Sequence, residues 1–318
     1  MTPALWITWE RQRRSIEMAR QLEVPLHLIE TGRRGLARYV LSVWRTLALL
    51  RRERPRVVFA QNPSVLLAAL VCAVRPLFGY RVVVDRHSNF DFADTDSGLL
   101  NRISNYSLRR ADLTIVTNTF LERLVAEKGG RGFILQDPLP VLAAGPPMPL
   151  KGRKNVVFVC TYKPDEPVAE VLEAARRLPP DVCVHVTGND KRLPDALRAT
   201  LPANVVLTGF LSQTDYDRLM ASANLVLELT TRDHTLLCGA YEALSVGTPL
   251  VISNMTALVE YFRAGVVVTT NDAPAIAAAI ETALAREDAL RAEIATTLPV
   301  MIGEWQARFA ALKTAAGL

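Results

Sequence analysis

Apolar residues along this chain follow two alternating rhythms. Short, nearly unbroken apolar runs take turns with longer stretches in which apolar positions recur every three or four residues. In the first half the runs Ala4 to Trp9, Val24 to Ile29, Val57 to Ala60, Arg81 to Asp85, Leu113 to Val116 and Gly132 to Leu135 predict strands. Between them Glu10 to Leu22, Leu36 to Leu50, Leu66 to Val74, Leu100 to Arg110 and Phe120 to Glu127 predict helices. The clearest of these carries Leu36, Tyr39, Val40, Val43, Trp44 and Leu47 at helical spacing. Runs that are apolar throughout, rather than at every second residue, mark strands buried on both faces. Parallel sheets with helices on both sides bury strands in that way.

The rhythm breaks at Asp137 to Pro149, a stretch rich in Pro, Gly and Ala that predicts a linker. It then restarts. Strands are predicted at Asn155 to Cys160, Cys183 to Thr187, Val205 to Thr208, Leu225 to Leu229, Pro249 to Ser253 and Val266 to Thr269. Helices are predicted at Pro167 to Leu178, Tyr216 to Ser222, Gly239 to Ser245 and Ala273 to Arg286. Met301, Ile302, Trp305, Phe309 and Leu312 then line one face of a last helix that no strand follows. The expected architecture is α/β, with two Rossmann-like parallel-sheet domains facing across a cleft. Their expected bounds are 1–140 for the first domain, 141–152 for the linker and 153–297 for the second domain. Residues 298–318 are expected to form a helix returning to the first domain. A chain of 318 residues also exceeds what one hydrophobic core commonly supports. Ligands of such folds sit outside the carboxyl ends of the strands.

Composition narrows the function. Half the residues are apolar and 22% are charged, the balance of a folded globular protein. Mean hydropathy is slightly positive, at +0.16. Even so, the most apolar stretch, Val65 to Val74, has about half the length a bilayer crossing requires. The opening MTPALWITWE has neither a basic segment nor a small-residue cleavage site, so a cytoplasmic location is expected. Four scattered cysteines without a C-x-x-C pair, and only four histidines, argue against a disulfide framework and a zinc site.

Charge is unevenly spread. Residues 1–150 hold 21 Lys and Arg against 13 Asp and Glu, and residues 151–318 hold 16 against 19. Arg33, Arg34, Arg38, Arg45, Arg51, Arg52, Arg54 and Arg56 fall in one segment, opposed only by Glu53. With Tyr39 and Trp44 nearby, the segment is expected to meet an anionic membrane surface, which suits a peripheral protein. A solvated basic helix is the other reading. No module for nucleic acid is present.

The segment richest in chemistry is Leu229 to Ser253, LTTRDHTLLCGAYEALSVGTPLVIS. It predicts strand, loop, helix, Gly-Thr-Pro turn and strand. The loop amides at Leu237, Cys238 and Gly239 and the helix dipole favour a diphosphate. Glu242 could accept hydrogen bonds from both hydroxyls of a ribose.

This segment resembles the GT-B glycosyltransferases, in particular their family 4 group. That group carries a Glu, seven residues, a second Glu, a helix and a Gly-Thr-Pro turn. Here Glu242 matches the second Glu, and Gly247, Thr248 and Pro249 match the turn. Asn204 to Leu211, Ala223 to Leu227 and Arg110 to Val116 are similar to further pieces of the family in the same order. The resemblance covers most of the chain and is sharpest over residues 204–253. It implies transfer of a sugar from a nucleoside diphosphate donor, without a cofactor or metal. It also implies retention of the anomeric configuration. Leu211 would lie beside the base, and Thr161 and Lys163 beside the diphosphate, with Arg232 a weaker cation. The first Glu is replaced by His234, so Asp233 and His234 would face the donor sugar. Asp85 and His87, at the end of a predicted strand, are the candidates for positioning the acceptor or moving its proton. An inverting reaction with either as general base stays open. The acceptor would be polyprenyl-linked or a polysaccharide, in synthesis of a cell-surface glycan. A UDP-sugar epimerase of the same fold and a non-catalytic partner subunit are the alternatives.

Overall fold

The computed structural model describes residues 3–62, 64–87, 98–142 and 145–318. The chain divides into two compact units. Unit 1 comprises Met1–Pro138 and Glu304–Leu318, and unit 2 comprises Leu139–Gly303.

Unit 1 is built on six parallel strands: β1 (Ala4–Thr8), β2 (Leu26–Leu28), β3 (Val57–Asn62), β4 (Arg81–Arg86), β5 (Leu113–Val116) and β6 (Gly132–Ile134). Their order in the sheet is β2-β1-β3-β4-β5-β6. Five helices connect them: α1 (Arg13–Leu22), α2 (Gly35–Glu53), α3 (Val65–Phe78), α4 (Gly98–Arg110) and α5 (Thr119–Glu127). The apolar runs arise because both faces are covered. Leu5, Ile7, Val58, Ala60, Val82 and Val84 pack in one core with Leu49 and Leu50 of α2 and Leu67 and Val71 of α3. The alternate residues Ala4, Trp6, Val57, Phe59 and Val83 pack in another with Met18 and Leu22 of α1. The Trp6 and Phe59 rings stack there at 5.3 Å between centroids. Phe309, Leu312 and Ala316, near the end of the chain, close that second core.

Unit 2 repeats the plan with β7 (Lys154–Phe158), β8 (Val182–Thr187), β9 (Val205–Gly209), β10 (Leu225–Glu228), β11 (Leu250–Ser253) and β12 (Val266–Thr269). The order is β12-β11-β10-β7-β8-β9, again parallel. Its helices are α6 (Val168–Ala175), α7 (Asp195–Ala199), α8 (Gln213–Ser222), α9 (Cys238–Ser245), α10 (Thr256–Tyr261), α11 (Ala273–Ala285) and the first part of α12 (Glu287–Ala316), whose last residues belong to unit 1. One core joins Val156, Phe158, Val184, Leu225 and Leu227 to α6 and α11. The other joins Val157, Val226, Leu250 and Ile252 to α8, α9 and α10. Leu139, Leu142, Met148 and Leu150 rest against this second core, so the Pro-rich segment is anchored on unit 2.

Two helices differ from the sequence expectation at a proline. The last helix begins at Glu287 and continues through Pro299, and α3 continues through Pro76 to a left-handed cap at Gly79. Proline removes one helical hydrogen bond. In α12 the contacts of Leu290, Ile294 and Met301 with unit 2 hold the helix on both sides of that gap.

In each sheet the chain starts at an inner strand and later reverses direction. The reversals lie between β1 and β3 in unit 1 and between β7 and β10 in unit 2. Adjacent loops there leave the carboxyl edge in opposite directions and open a crevice.

Candidate functional site

The crevice of unit 2 is bordered by the loop after β7, residues 159–167, and the loop after β10, residues 229–237. The two loops are tied together. Thr231 donates its amide to the carbonyl of Asp165 at 2.7 Å, and the Thr230 hydroxyl donates to the Asp165 carboxylate at 3.3 Å. Gly188, with φ +95°, lets the end of β8 pass the first loop closely, since a Cβ there would stand 2.1 Å from the Cys160 carbonyl oxygen.

Glu166 organises the first loop. Its Oε2 accepts from the amides of Thr161 at 2.8 Å and Lys163 at 3.0 Å, and its Oε1 accepts from the Thr161 hydroxyl at 2.7 Å. This grip holds Tyr162 at φ +58°, a left-handed conformation uncommon for a side-chain-bearing residue. Thr161 therefore has its amide and hydroxyl engaged inside the loop, and of this pair the exposed Lys163 ammonium is the group left to meet an anion. Pro167 is the cap of α6 rather than its first residue, and Glu166 folds back instead of lying in the first turn.

In the second loop Asp233 is engaged as well. It accepts from the Thr256 hydroxyl at 2.9 Å and from the His234 amide at 2.7 Å. Partial burial opposes its charge, but these bonds and a further one from the Ala257 amide hold its carboxyl below the usual range. Asp233 thus secures the start of α10. His234 stands at φ +60°, half-exposed, with its ring 3.7 Å from the Asp233 carboxylate. Leu237 caps α9 through its backbone, and the exposed Cys238 opens the helix. The first amides of a helix have no carbonyl partner within it, so this end is suited to an anion.

Glu242 lies one turn into α9, 8% exposed, and its Oε2 accepts a 2.7 Å hydrogen bond from Tyr216 of α8. Burial first, and the Glu242 charge second, push the Tyr216 phenol far above its ordinary range, so it stays a donor. Leu211, just after the exposed Phe210, packs against the same core as Tyr216 and Leu237.

A carboxyl that the sequence reading did not single out lies beneath α9. Glu228, the last residue of β10, is 4% exposed. A Cβ on Gly239 would lie 1.8 Å from its Oε1, so the glycine makes room for it. That oxygen has no hydrogen-bond partner among the described residues. Burial, then repulsion from Glu242 and Glu166, raise the Glu228 pKa well above the carboxylate range and favour its protonated form. An acid ending the apolar run of β10 was the available signal. Nothing in the pattern marks Tyr216.

Unit 1 places its polar groups at the equivalent edge. Asp85, in β4, is fully buried, and both its oxygens accept from Nε of Arg14 at 3.1 Å. Arg14 also bonds Asp137 and donates to the Leu135 carbonyl at 3.0 Å. Burial opposes the Asp85 charge, but Arg14 and then His87 outweigh it and hold the carboxyl below its usual range. His87 Nδ1 stands 3.3 Å from Asp85 Oδ2, within ion-pair distance but outside hydrogen-bond alignment. The His87 side chain is 18% exposed and that of Asp85 is 0% exposed, so only the histidine reaches solvent. Asp85 is thus engaged by Arg14 and closed to solvent, while the neighbouring His87 is partly open to it. Nearby, Gln61 of β3 accepts from Thr8 at 2.5 Å and bonds Gln12. Ser88 and Asn89, which follow His87 in sequence, lie outside the described residues.

Among the described residues there is no group of His, Cys, Asp and Glu arranged to hold a metal, and the cysteines are free. No described helix is long and apolar enough to cross a membrane.

Residues 153–286 match the family model described as glycosyl transferases group 1, and residues 6–132 match the glycosyl transferase 4-like domain. A search of curated proteins by sequence returns no match. Among solved structures, sucrose-phosphate synthase from Thermosynechococcus elongatus superposes with a TM-score of 0.76 at 15% identity, covering 99% of this chain and 98% of that one. HepE from Anabaena, in complex with UDP-glucose, superposes with 0.74 at 14% identity, covering 99% and 100%. A Listeria monocytogenes protein described as a UDP-N-acetylglucosamine 2-epimerase superposes with 0.65 at 12%, covering 92% and 90%. At these identities the likeness is one of fold.

Proposed function

Because the chain belongs to the group 1 glycosyltransferases of the GT-B fold, we propose that it moves a sugar from a nucleoside diphosphate donor, bound in unit 2, to a lipid-linked or polysaccharide acceptor bound in unit 1. The observation that carries this reading is the seating of Glu242. Its carboxylate is held by Tyr216 one turn into α9, beside the amides that open the helix. A diphosphate over those amides would bring a ribose to Glu242, and the base to the backbone around Leu211. The Anabaena neighbour was crystallised with UDP-glucose, which favours a sugar nucleotide as the donor.

The residues divide the work as follows. Lys163, the α9 amides and the helix dipole stabilise the leaving diphosphate without a metal. The raised pKa of Glu228 disfavours a further negative charge beside that diphosphate. His234 faces the donor sugar from the loop after β10. His87, steadied by Asp85, takes or places the acceptor proton. Departure of the diphosphate with retention of configuration follows from the family resemblance. The setting is cell-surface glycan synthesis on the cytoplasmic side of a membrane.

One observation favours a second reading, a non-catalytic partner subunit. Glu166 occupies two loop amides and brings an acidic group towards the phosphate side. The two readings separate in one assay: release of nucleoside diphosphate from a panel of sugar nucleotides, with EDTA present, using wild type and His87→Gln. Turnover in wild type, lost in the variant, supports the transferase. No turnover with any donor and acceptor supports the partner subunit.

A further inference from the structure

On one side of unit 1, α2, α3 and α4 frame an open groove of about 470 Å3. Its walls are nearly all apolar: Val43 from α2, Leu66, Leu70 and Ala73 from α3, and Ile103 and Tyr106 from α4. Each helix prolongs its wall with large apolar side chains in solvent. On α2, Leu36, Val40 and Val43 follow one stripe at helical spacing, with Trp44 beside it. Leu36 is 78% exposed and Trp44 is 65% exposed. Leu77, four residues beyond Ala73, is 80% exposed, and Leu99, four residues before Ile103, is 67% exposed. Large exposed apolar side chains flanking an apolar groove mark an interaction face rather than ordinary exposure.

The face is also positive. Arg33 and Arg34 precede α2, Arg51 lies two turns beyond Trp44 on the same stripe, and Arg102 stands in the groove wall. Among the described residues, Arg33, Arg34 and Arg51 form no ion pair. A second copy meeting this face symmetrically would set like arginines against one another. A surface with hydrocarbon beneath anionic headgroups satisfies the apolar walls and the positive rim together. Helices that follow parallel strands start at the sheet's carboxyl edge. The first turns of α2, α3 and α4, carrying Leu36, Leu66 and Leu99, therefore lie at the edge where His87 follows β4.

We infer that this face docks on an anionic lipid bilayer. Leu36, Val40, Trp44 and Leu99 enter the headgroup boundary, the groove receives a hydrocarbon chain, and the arginines meet lipid phosphates. Docking brings membrane-held acceptors to the His87 edge. The inference rests on the transferase reading only for the presence of an acceptor.

The test is flotation of the full chain with vesicles of phosphatidylcholine alone or mixed with phosphatidylglycerol. Wild type floats with the mixed vesicles and stays behind with the neutral ones. Val40→Ser with Trp44→Ser weakens flotation about tenfold or more, by loss of buried apolar surface. Arg34→Gln with Arg51→Gln weakens it about fivefold per charge and lowers its sensitivity to salt. All variants keep the thermal shift given by a nucleoside diphosphate, which shows that they are folded. If that shift is missing in wild type while flotation persists, the donor reading fails and the docking face stands. A wild type that floats with neither vesicle overturns the inference. So does a dimer that Trp44→Ser converts to monomer, because the face would then join two copies.

Discussion

Tyr216 donates its phenolic hydrogen to Oε2 of Glu242 across 2.7 Å, linking α8 to α9 in the core of unit 2. The bond fixes a buried carboxylate in a single orientation, which a freely rotating side chain would not keep. Tyr216→Phe removes the donor and leaves Glu242 one partner short. The expected cost is about 1–3 kcal/mol of stability, with weaker nucleotide binding. Denaturant melts with and without nucleoside diphosphate measure both, and an unchanged nucleotide response would show that the bond does not position Glu242.

Gly239 leaves the space that the Glu228 carboxyl fills. Gly239→Ala places a methyl 1.8 Å from a buried oxygen that cannot move into solvent. Overpacking of this kind costs about 1–3 kcal/mol. Truncating the acid relieves it, so Gly239→Ala with Glu228→Ala is expected to be more stable than Gly239→Ala alone. A double-mutant cycle reads the coupling directly, and strictly additive effects would contradict the contact.

Glu228 also makes stability depend on pH. Its folded pKa is raised above the ordinary value near 4.5, so the folded state keeps a proton that the unfolded state releases. The stabilisation is complete below that ordinary value and is lost as pH rises through the folded one. Glu228→Gln carries no such proton. Urea unfolding from about pH 5 to about pH 9 should show wild type losing stability relative to Glu228→Gln. Parallel curves would mean that the acid titrates normally.

Asp85 carries the opposite sign. Its folded pKa is depressed, so its contribution is present above the unfolded value near 3.8 and is lost as pH falls through the folded one. Asp85→Asn leaves Arg14 buried without its main partner and is expected to cost about 3–5 kcal/mol. His87→Gln, at the rim, is expected to cost little stability and to lower transfer about 100-fold or more. Unfolding and turnover measured on the same two variants separate support from chemistry.

The fold was legible because both sheets are buried on two faces and so keep unbroken apolar runs, such as Val57 to Ala60 and Val156 to Phe158. Helix ends were less legible. Pro299 and Pro76 look like boundaries in sequence, yet packing by Leu290, Ile294 and Met301 carries α12 past the first of them. Within the site, Glu242 stood out through its place before Gly247, Thr248 and Pro249. Thr161 and Asp233 were legible by position, but their hydrogen bonds turn inward to Glu166 and α10, which spacing alone does not encode. Arg14 and Tyr216 depend on contacts between residues distant in sequence, and no local pattern marks them; Glu228 carried one local signal, an acid at the end of an apolar run, but its seat under Gly239 is a long-range contact.

The proposed donor site is built on Glu242. It is tested most directly by thermal unfolding of wild type and Glu242→Ala with UDP, GDP, ADP and dTDP. Ligand near a hundredfold above its Kd adds about 2.7 kcal/mol to the stability of a binding protein. One nucleotide is expected to raise the unfolding temperature of wild type by several degrees and that of Glu242→Ala far less. A shift of equal size in the variant, or no shift with any nucleotide, would contradict it.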